Sequence, residues 1–147
     1  MPALNDAHIR RLTREEIEPF IPTLIADGFT PEIDEGTWLG AFVDGDLAGF
    51  VRVFDEGGHW MLEDVMVFER YRRRGLATAL IMRAREPLGH LWLICDDPMV
   101  GYYEGLGFVL AAKPDFPEPL ATLYAAKKEW PAGSDHNHNA MRWDSRA

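Results

Sequence analysis

The stretch Leu62–Met82, LEDVMVFERYRRRGLATALIM, constrains the fold more than any other part of the chain, because its period changes midway. Leu62 to Phe68 is apolar and β-branched, like a strand inside a sheet, and only the acidic pair Glu63–Asp64 interrupts it. From Gly75 onward, Leu76, Leu80, Ile81 and Ala84 recur at helical spacing until Pro87 stops the pattern. The join holds Arg72, Arg73, Arg74, Gly75, Leu76 and Ala77. Three cations at a helix N-terminus oppose the helix dipole. They make sense if an anion docks there, since the N–H groups of the first turn point at it and guanidinium groups neutralise it. Gly75 brings the backbone close without a Cβ in the way, and Ala77 keeps the turn small. The stretch reads as a phosphate cradle.

Taken alone, Arg-Arg-Arg-Gly is equally a solvated charge run on a surface loop. Its surroundings favour the cradle. Arg70, Arg72, Arg73, Arg74, Arg83 and Arg85 are six of the 15 basic residues, and no acid lies among them. The remainder of the chain carries 9 basic against 24 acidic residues, a balance of −15 within a net charge of −9. A cationic island on an acidic chain points to a specific polyanionic ligand.

A length of 147 residues suits one domain with one substantial core. Hydrophobic content of 47%, with 12% aromatics, excludes wholesale disorder. The net charge of −9 argues against a nucleic-acid partner. The one cysteine, Cys95, allows no internal disulfide and no cysteine metal cluster. The polar N-terminus suggests no signal peptide, and no apolar run is long enough to span a membrane. A cytoplasmic protein without a membrane partner is the expectation.

In chain order, His8 to Leu12 reads as a first strand. Thr13 and Glu16 form a capping box that starts a helix at Arg14, and Pro19 and Pro22 kink or break it. Asp27 to Gly36 is an acidic loop. Thr37–Val43, Leu47–Phe54 and His59–Phe68 form an antiparallel meander, with Asp44-Gly45-Asp46 and Glu56-Gly57-Gly58 as its turns. A helix follows over about 74–86, then a doubly buried strand, His90–Cys95, parallel to the previous one. Pro98–Leu106 reads as a short helix closed by Gly107, and Phe108–Ala112 and Leu120–Ala126 as two last strands. The order is β-α-β-β-β-α-β-α-β-β. Residues 130–147 read as a polar, flexible tail outside a domain spanning 1–129.

This order, with Arg72-x-x-Gly75-x-Ala77 at the head of the central helix and Tyr102-Tyr103-Glu104-Gly105-Leu106-Gly107-Phe108 later, resembles the GNAT superfamily of N-acetyltransferases. The family signatures are (Gln/Arg)-x-x-Gly-x-(Gly/Ala) and (Phe/Tyr)-Tyr-x-x-x-Gly-Phe, and the likeness covers roughly Ile9 to Lys127. It implies an α/β (α+β) fold in which a mixed sheet of about six or seven strands is flanked by helices. A splayed parallel strand pair holds coenzyme A, and acetyl-CoA is the donor. The resemblance places the CoA phosphates on Arg72, Arg73, Arg74, Gly75, Leu76, Ala77 and Thr78. It places the pantetheine amides along Val65, Met66 and Val67, with a backbone N–H near Met66 or Val67 on the thioester oxygen. Transfer to a primary amine needs a base for the ammonium and an acid for the departing sulfur. By position Tyr103 matches the family's acid. Glu63 is the candidate base, sharing a strand face with Val65 and Val67 unless a bulge puts Asp64 there instead. An ion pair at a strand edge is the plainer account of both acids.

Where the family often carries a cofactor-binding asparagine, this chain has Asp96 and Asp97, which can accept a hydrogen bond but not donate one. Cys95 reads as a core residue rather than a nucleophile. The loop after the first helix contributes to the acceptor pocket in the family. Here it holds Asp27, Glu32, Asp34 and Glu35, beside Phe29 and Trp38, and no basic residue. With Asp64 and Asp97 it implies a cationic acceptor, a small molecule or a peptide amine. A homodimer is compatible with this reading. The competing functions are a non-catalytic CoA-binding module and an interaction domain that binds an acidic partner through its arginines.

Overall fold

Thr13 sets the first helical turn. Its hydroxyl accepts from the Glu16 N–H while the Glu16 carboxylate accepts from the Thr13 N–H, the reciprocal box that the sequence predicts. The helix so started, α1 (Arg14–Ile17), yields at Pro19 to a 3₁₀ turn, Glu18–Phe20, and resumes as α2 (Ile21–Ala26). These elements come from a computed structural model, which describes residues 8–26, 35–126 and 138–145.

Two compact units make up the chain. The first comprises Met1–Phe54 and Leu62–Pro87. In it β1 (His8–Arg11) pairs antiparallel with β2 (Thr37–Val43), which pairs with β3 (Asp46–Glu56). Asp44 and Gly45 both take positive φ, 51° and 85°, as a tight hairpin turn matched to the strand twist requires. Ile17, Leu24, Trp38 and Phe50 form a buried cluster, with Leu12, Ile21, Met66 and Phe68 packed against it. β4 (His59–Val67) supplies Met66 to that cluster. α3 (Leu76–Arg85) buries Leu76, Leu80, Ile81 and Ala84, the face that its periodicity predicts.

The second unit comprises Asp55–Met61 and Leu88–Ala147. Here the start of β4 runs parallel to β5 (His90–Asp96) at Met61↔Trp92. A 3₁₀ turn, Asp97–Met99, leads into α4 (Val100–Gly105), and Gly107 closes it at φ 93°. β6 is only Val109–Leu110, shorter than the expected strand Phe108–Ala112. Leu120–Ala126, expected as a strand, is helix α5. A short apolar run is ambiguous by period, and local chemistry decides it: the Glu118 carboxylate accepts from the Thr122 N–H at the first turn.

The last strand lies in the stretch expected to be a flexible tail. β7 (His138–Asp144) pairs antiparallel with β5 along its whole length, from His90↔Asp144 to Asp96↔His138, and with both residues of β6. Ala140 and Met141 within it are fully buried. Residues 130–137 and 146–147 lie outside the described part. In all, seven strands hydrogen-bond in the order β1-β2-β3-β4-β5-β7-β6, a mixed sheet with helices on the connections. No helix among the described residues is long and apolar enough to cross a membrane.

Candidate active site

After β4 the chain passes through a 3₁₀ turn, Glu69–Tyr71, and then two left-handed residues, Arg73 at φ 67° and Gly75 at φ 76°. Residues of alternating hand turn successive N–H groups toward one side and make an anion-binding concavity. Gly75 is the N-cap of α3, no side chain caps the helix, and no acid stands in its first turn. The helical ladder begins with the Ala79 N–H on the Gly75 carbonyl, so the N–H groups of Leu76 and Ala77 lie ahead of it. An uncapped helix start of this kind presents its first N–H groups to an anion.

The arginines around it are held in different ways. Arg72 donates from Nε to the Val67 carbonyl at 2.9 Å, which ties the loop to the end of β4. The guanidinium groups of Arg70 and Arg74 stand 5.2 and 5.5 Å from the centre of the buried Tyr71 ring, a fixed platform between two cations. Arg73 and Arg83 are exposed. Arg85 is buried, and burial lowers its pKa, so the six arginines do not form one continuous surface. Backbone donors, left-handed turn and the exposed Arg72 and Arg73 fit a polyphosphate.

The acidic pair of β4 converges on a residue that the sequence analysis did not single out. Arg52, in the apolar run Phe50-Val51-Arg52-Val53-Phe54 of β3, is 1% exposed. Its Nε donates to Asp64 at 2.8 Å, and Nη2 lies 3.9 Å from Glu63. Asp64 has φ 51°, which breaks the strand's alternation and brings adjacent side chains to one guanidinium. The left-handed backbone at Asp64 falls where the apolar alternation of the strand stutters. Asp64 is buried against Arg52. The Glu63 side chain keeps 15% exposure. A charge amid β-branched residues was the available signal for Arg52, since such a group needs a buried partner.

Tyr103 is buried in α4, its ring 5.1 Å from that of Tyr102 and 5.7 Å from that of Phe108. Burial, then the neighbouring Tyr102 and Cys95, push its hydroxyl up to about 12. It is a protonated phenol across the working pH range. Cys95 is buried too, with Sγ 3.6 Å from the Met141 sulfur, and burial with Asp96 and Asp97 raises its thiol to about 11. It is a core residue. Asp97 accepts from the Asn139 side-chain amide at 2.7 Å, and that amide also reaches the Cys95 carbonyl at 3.3 Å. Asp96 is 3.5 Å from His138. Asn139 and His138 stand on β7, and no motif in the sequence announces them. Phe29 and Asp34, with Asp27 and Glu32, lie outside the described residues.

A mixed seven-stranded sheet whose fourth strand runs into a left-handed, arginine-rich turn and a helix is the fold of the acyl-CoA N-acyltransferases. The chain belongs to the acetyltransferase (GNAT) family, whose model matches residues 4–108. No curated protein matches the sequence. Among solved structures, N-acetylglutamate synthase from Neisseria gonorrhoeae, complexed with coenzyme A and N-acetyl-glutamate, superposes with a TM-score of 0.72 at 15% identity. That match covers 94% of this chain but 35% of the synthase, so the chain spans about a third of that protein's length. The ribosomal-protein-S18-alanine N-acetyltransferase from Escherichia coli gives 0.68 at 16% identity, covering 94% of this chain and 93% of that one. Nourseothricin acetyltransferase gives 0.61 at 24% identity, covering 95% and 98%. At these identities the likeness concerns the fold.

Proposed function

We propose that the chain transfers an acetyl group from acetyl-CoA to a primary amine. The observation that carries the proposal is the cradle: left-handed Arg73 and Gly75, an uncapped α3 N-terminus, and exposed arginines beside it. Coenzyme A accompanies the synthase neighbour in its crystals, and its pyrophosphate suits such donors. Bound acetyl-CoA supplies an activated acyl thioester. Backbone from Arg73 to Thr78, with Arg72 and Arg74, holds the phosphates. Backbone groups of Val65 and Val67 pair with pantetheine amides, and an N–H near Met66 or Val67 stabilises charge on the acyl oxygen. Glu63 would take the proton that the ammonium must lose before the C–N bond forms; Tyr103 would protonate the sulfur as the C–S bond breaks, and the second proton of the acylated nitrogen would restore the phenol. Tyr103 carries its proton at neutral pH, and burial, which raises it to about 12, makes it the weaker acid.

One observation favours a second reading. Both acids of β4 engage Arg52, as a purely structural ion pair would, and the chain would then bind CoA without catalysing transfer. Release of free thiol from acetyl-CoA across a panel of polyamines, aminoglycosides and lysine peptides separates the two. No release with any amine, while acetyl-CoA still raises the melting temperature, supports the binding module.

The acceptor we infer is cationic. The net charge is −9, and Glu35 and Asp96 are exposed carboxylates among those expected at the acceptor rim. Added salt then raises KM for the acceptor by screening. An acidic amino acid as best acceptor, with a KM indifferent to salt, overturns this.

A further inference from the structure

Arg52 heads the largest side chains that the fold buries completely, and the transfer chemistry set out so far leaves it without a role. Its neighbours form one small cluster. Nε donates to Asp64 Oδ2 at 2.8 Å, Nη2 stands 3.9 Å from Glu63 Oε2, and Nη1 donates to the Glu35 carbonyl at 3.4 Å. The rings of Phe54 and Trp38 lie 4.9 and 5.8 Å from the guanidinium carbon. On a regular strand Glu63 and Asp64 would point to opposite faces. Here both reach one cation, because Asp64 takes a left-handed backbone at φ 51°. A non-glycine residue keeps that conformation when its surroundings over-determine it, and the Arg52–Asp64 bond does so.

Stability alone is a weak account of such a pair, because well-packed apolar residues of similar volume are often as stable or more so. Geometry is the better account. We propose that Arg52 is a positioning residue: by pinning Asp64 in its left-handed backbone on β4, it aims the Glu63 carboxylate for its part in the acetyl transfer. The inference rests on Glu63 being the base. Asp64 takes the short, hydrogen-bonded contact and so divides the pull of Arg52 on Glu63. The titratable groups of the cluster are Arg52 from β3 and Glu63 and Asp64 from β4, and Glu35 adds its backbone carbonyl.

The test titrates the chain, labelled with ¹³C at its glutamate carboxyls, by NMR with no ligand added. Loss of one resonance in Glu63→Gln assigns the Glu63 signal. Asp64→Asn keeps an oxygen for Arg52 Nε and turns the full cationic charge toward Glu63, so the signal titrates at lower pH than in the unaltered chain. Arg52→Met/Asp64→Leu fills the same space with apolar groups and removes the cation, so the signal titrates at higher pH. With the best amine of the panel, kcat falls about tenfold or more in both variants while KM for acetyl-CoA stays within about a factor of two. A Glu63 signal that titrates alike in all three proteins, at matched melting temperature, overturns the role of Arg52. An unaltered pH–rate profile in Glu63→Gln instead overturns the assignment of the base, and the titration still decides whether Arg52 governs Glu63.

Discussion

Tyr103 carries its chemistry in one hydroxyl, so Tyr103→Phe separates acid from packing. The variant keeps its ring contacts and is expected to lose on the order of 10²–10⁴ in kcat with little change in the affinity for acetyl-CoA. Turnover within a factor of two, with an N-acetylated product confirmed, makes Tyr103 structural. Because burial raises the phenol to about 12, the folded state favours the neutral form. That contribution to stability is complete below the phenol's ordinary 10 and is lost as pH climbs toward the raised value. An alkaline limb of the rate profile below about pH 9 therefore belongs to another group. The loss of Arg52 should be felt in stability. Arg52→Ala removes the cation hydrogen-bonded to the buried Asp64 carboxylate and is expected to cost about 3–5 kcal/mol, measurable by urea denaturation. An exposed-residue cost, under about 1 kcal/mol, would show that water or another cation takes its place.

Among the elements, the turn from β4 into α3 decides ligand binding and the start of β5 responds to acid. Gly75→Glu puts a side chain on a left-handed N-cap and a carboxylate where an anion should dock. Acetyl-CoA at 100 times its Kd should stabilise the unaltered fold by about 2.7 kcal/mol and leave the melting temperature of the variant unmoved. An equal shift in both proteins sinks the cradle. At the head of β5, His90 Nε2 accepts from the Trp60 N–H at 3.1 Å, which only the neutral ring can do. Burial first, then Arg142 and His59, lower its pKa from 6.5, partly offset by Asp144 and Asp55. A depressed value means that this stability is present above about 6.5 and is lost as pH falls through the folded value. Acidification from pH 7 to 5 should lower the melting temperature more in the unaltered chain than in His90→Gln, whose amide still offers an acceptor. Equal losses assign the acid sensitivity elsewhere.

For the molecule as a whole, β7 is the element whose removal tells most. Deleting residues 130–147 leaves β5 without the partner that pairs all seven of its residues and uncovers the neighbours of Ala140 and Met141. The second unit should then lose its cooperative thermal transition; an unchanged transition by circular dichroism would show that β7 is dispensable. The sequence by itself determined what depends on neighbours along the chain. The Thr13 capping box, the Asp44-Gly45 hairpin, the buried face of α3 and the strand–turn–helix of the cradle are each fixed within a few residues, so their patterns are legible. Only the tertiary structure decided the rest. His138–Asp144 has too few apolar residues to announce a strand and becomes one by pairing with β5, more than forty residues away in sequence. Leu120–Ala126 has an apolar run that suits either period, and the Glu118 cap settles it as helix. A regular strand would point Glu63 and Asp64 to opposite faces, and the left-handed backbone at Asp64 with the buried Arg52 brings both acids to one cation. Long-range pairing and burial leave no local period, because the partner that satisfies the charge or the backbone is supplied by another part of the fold.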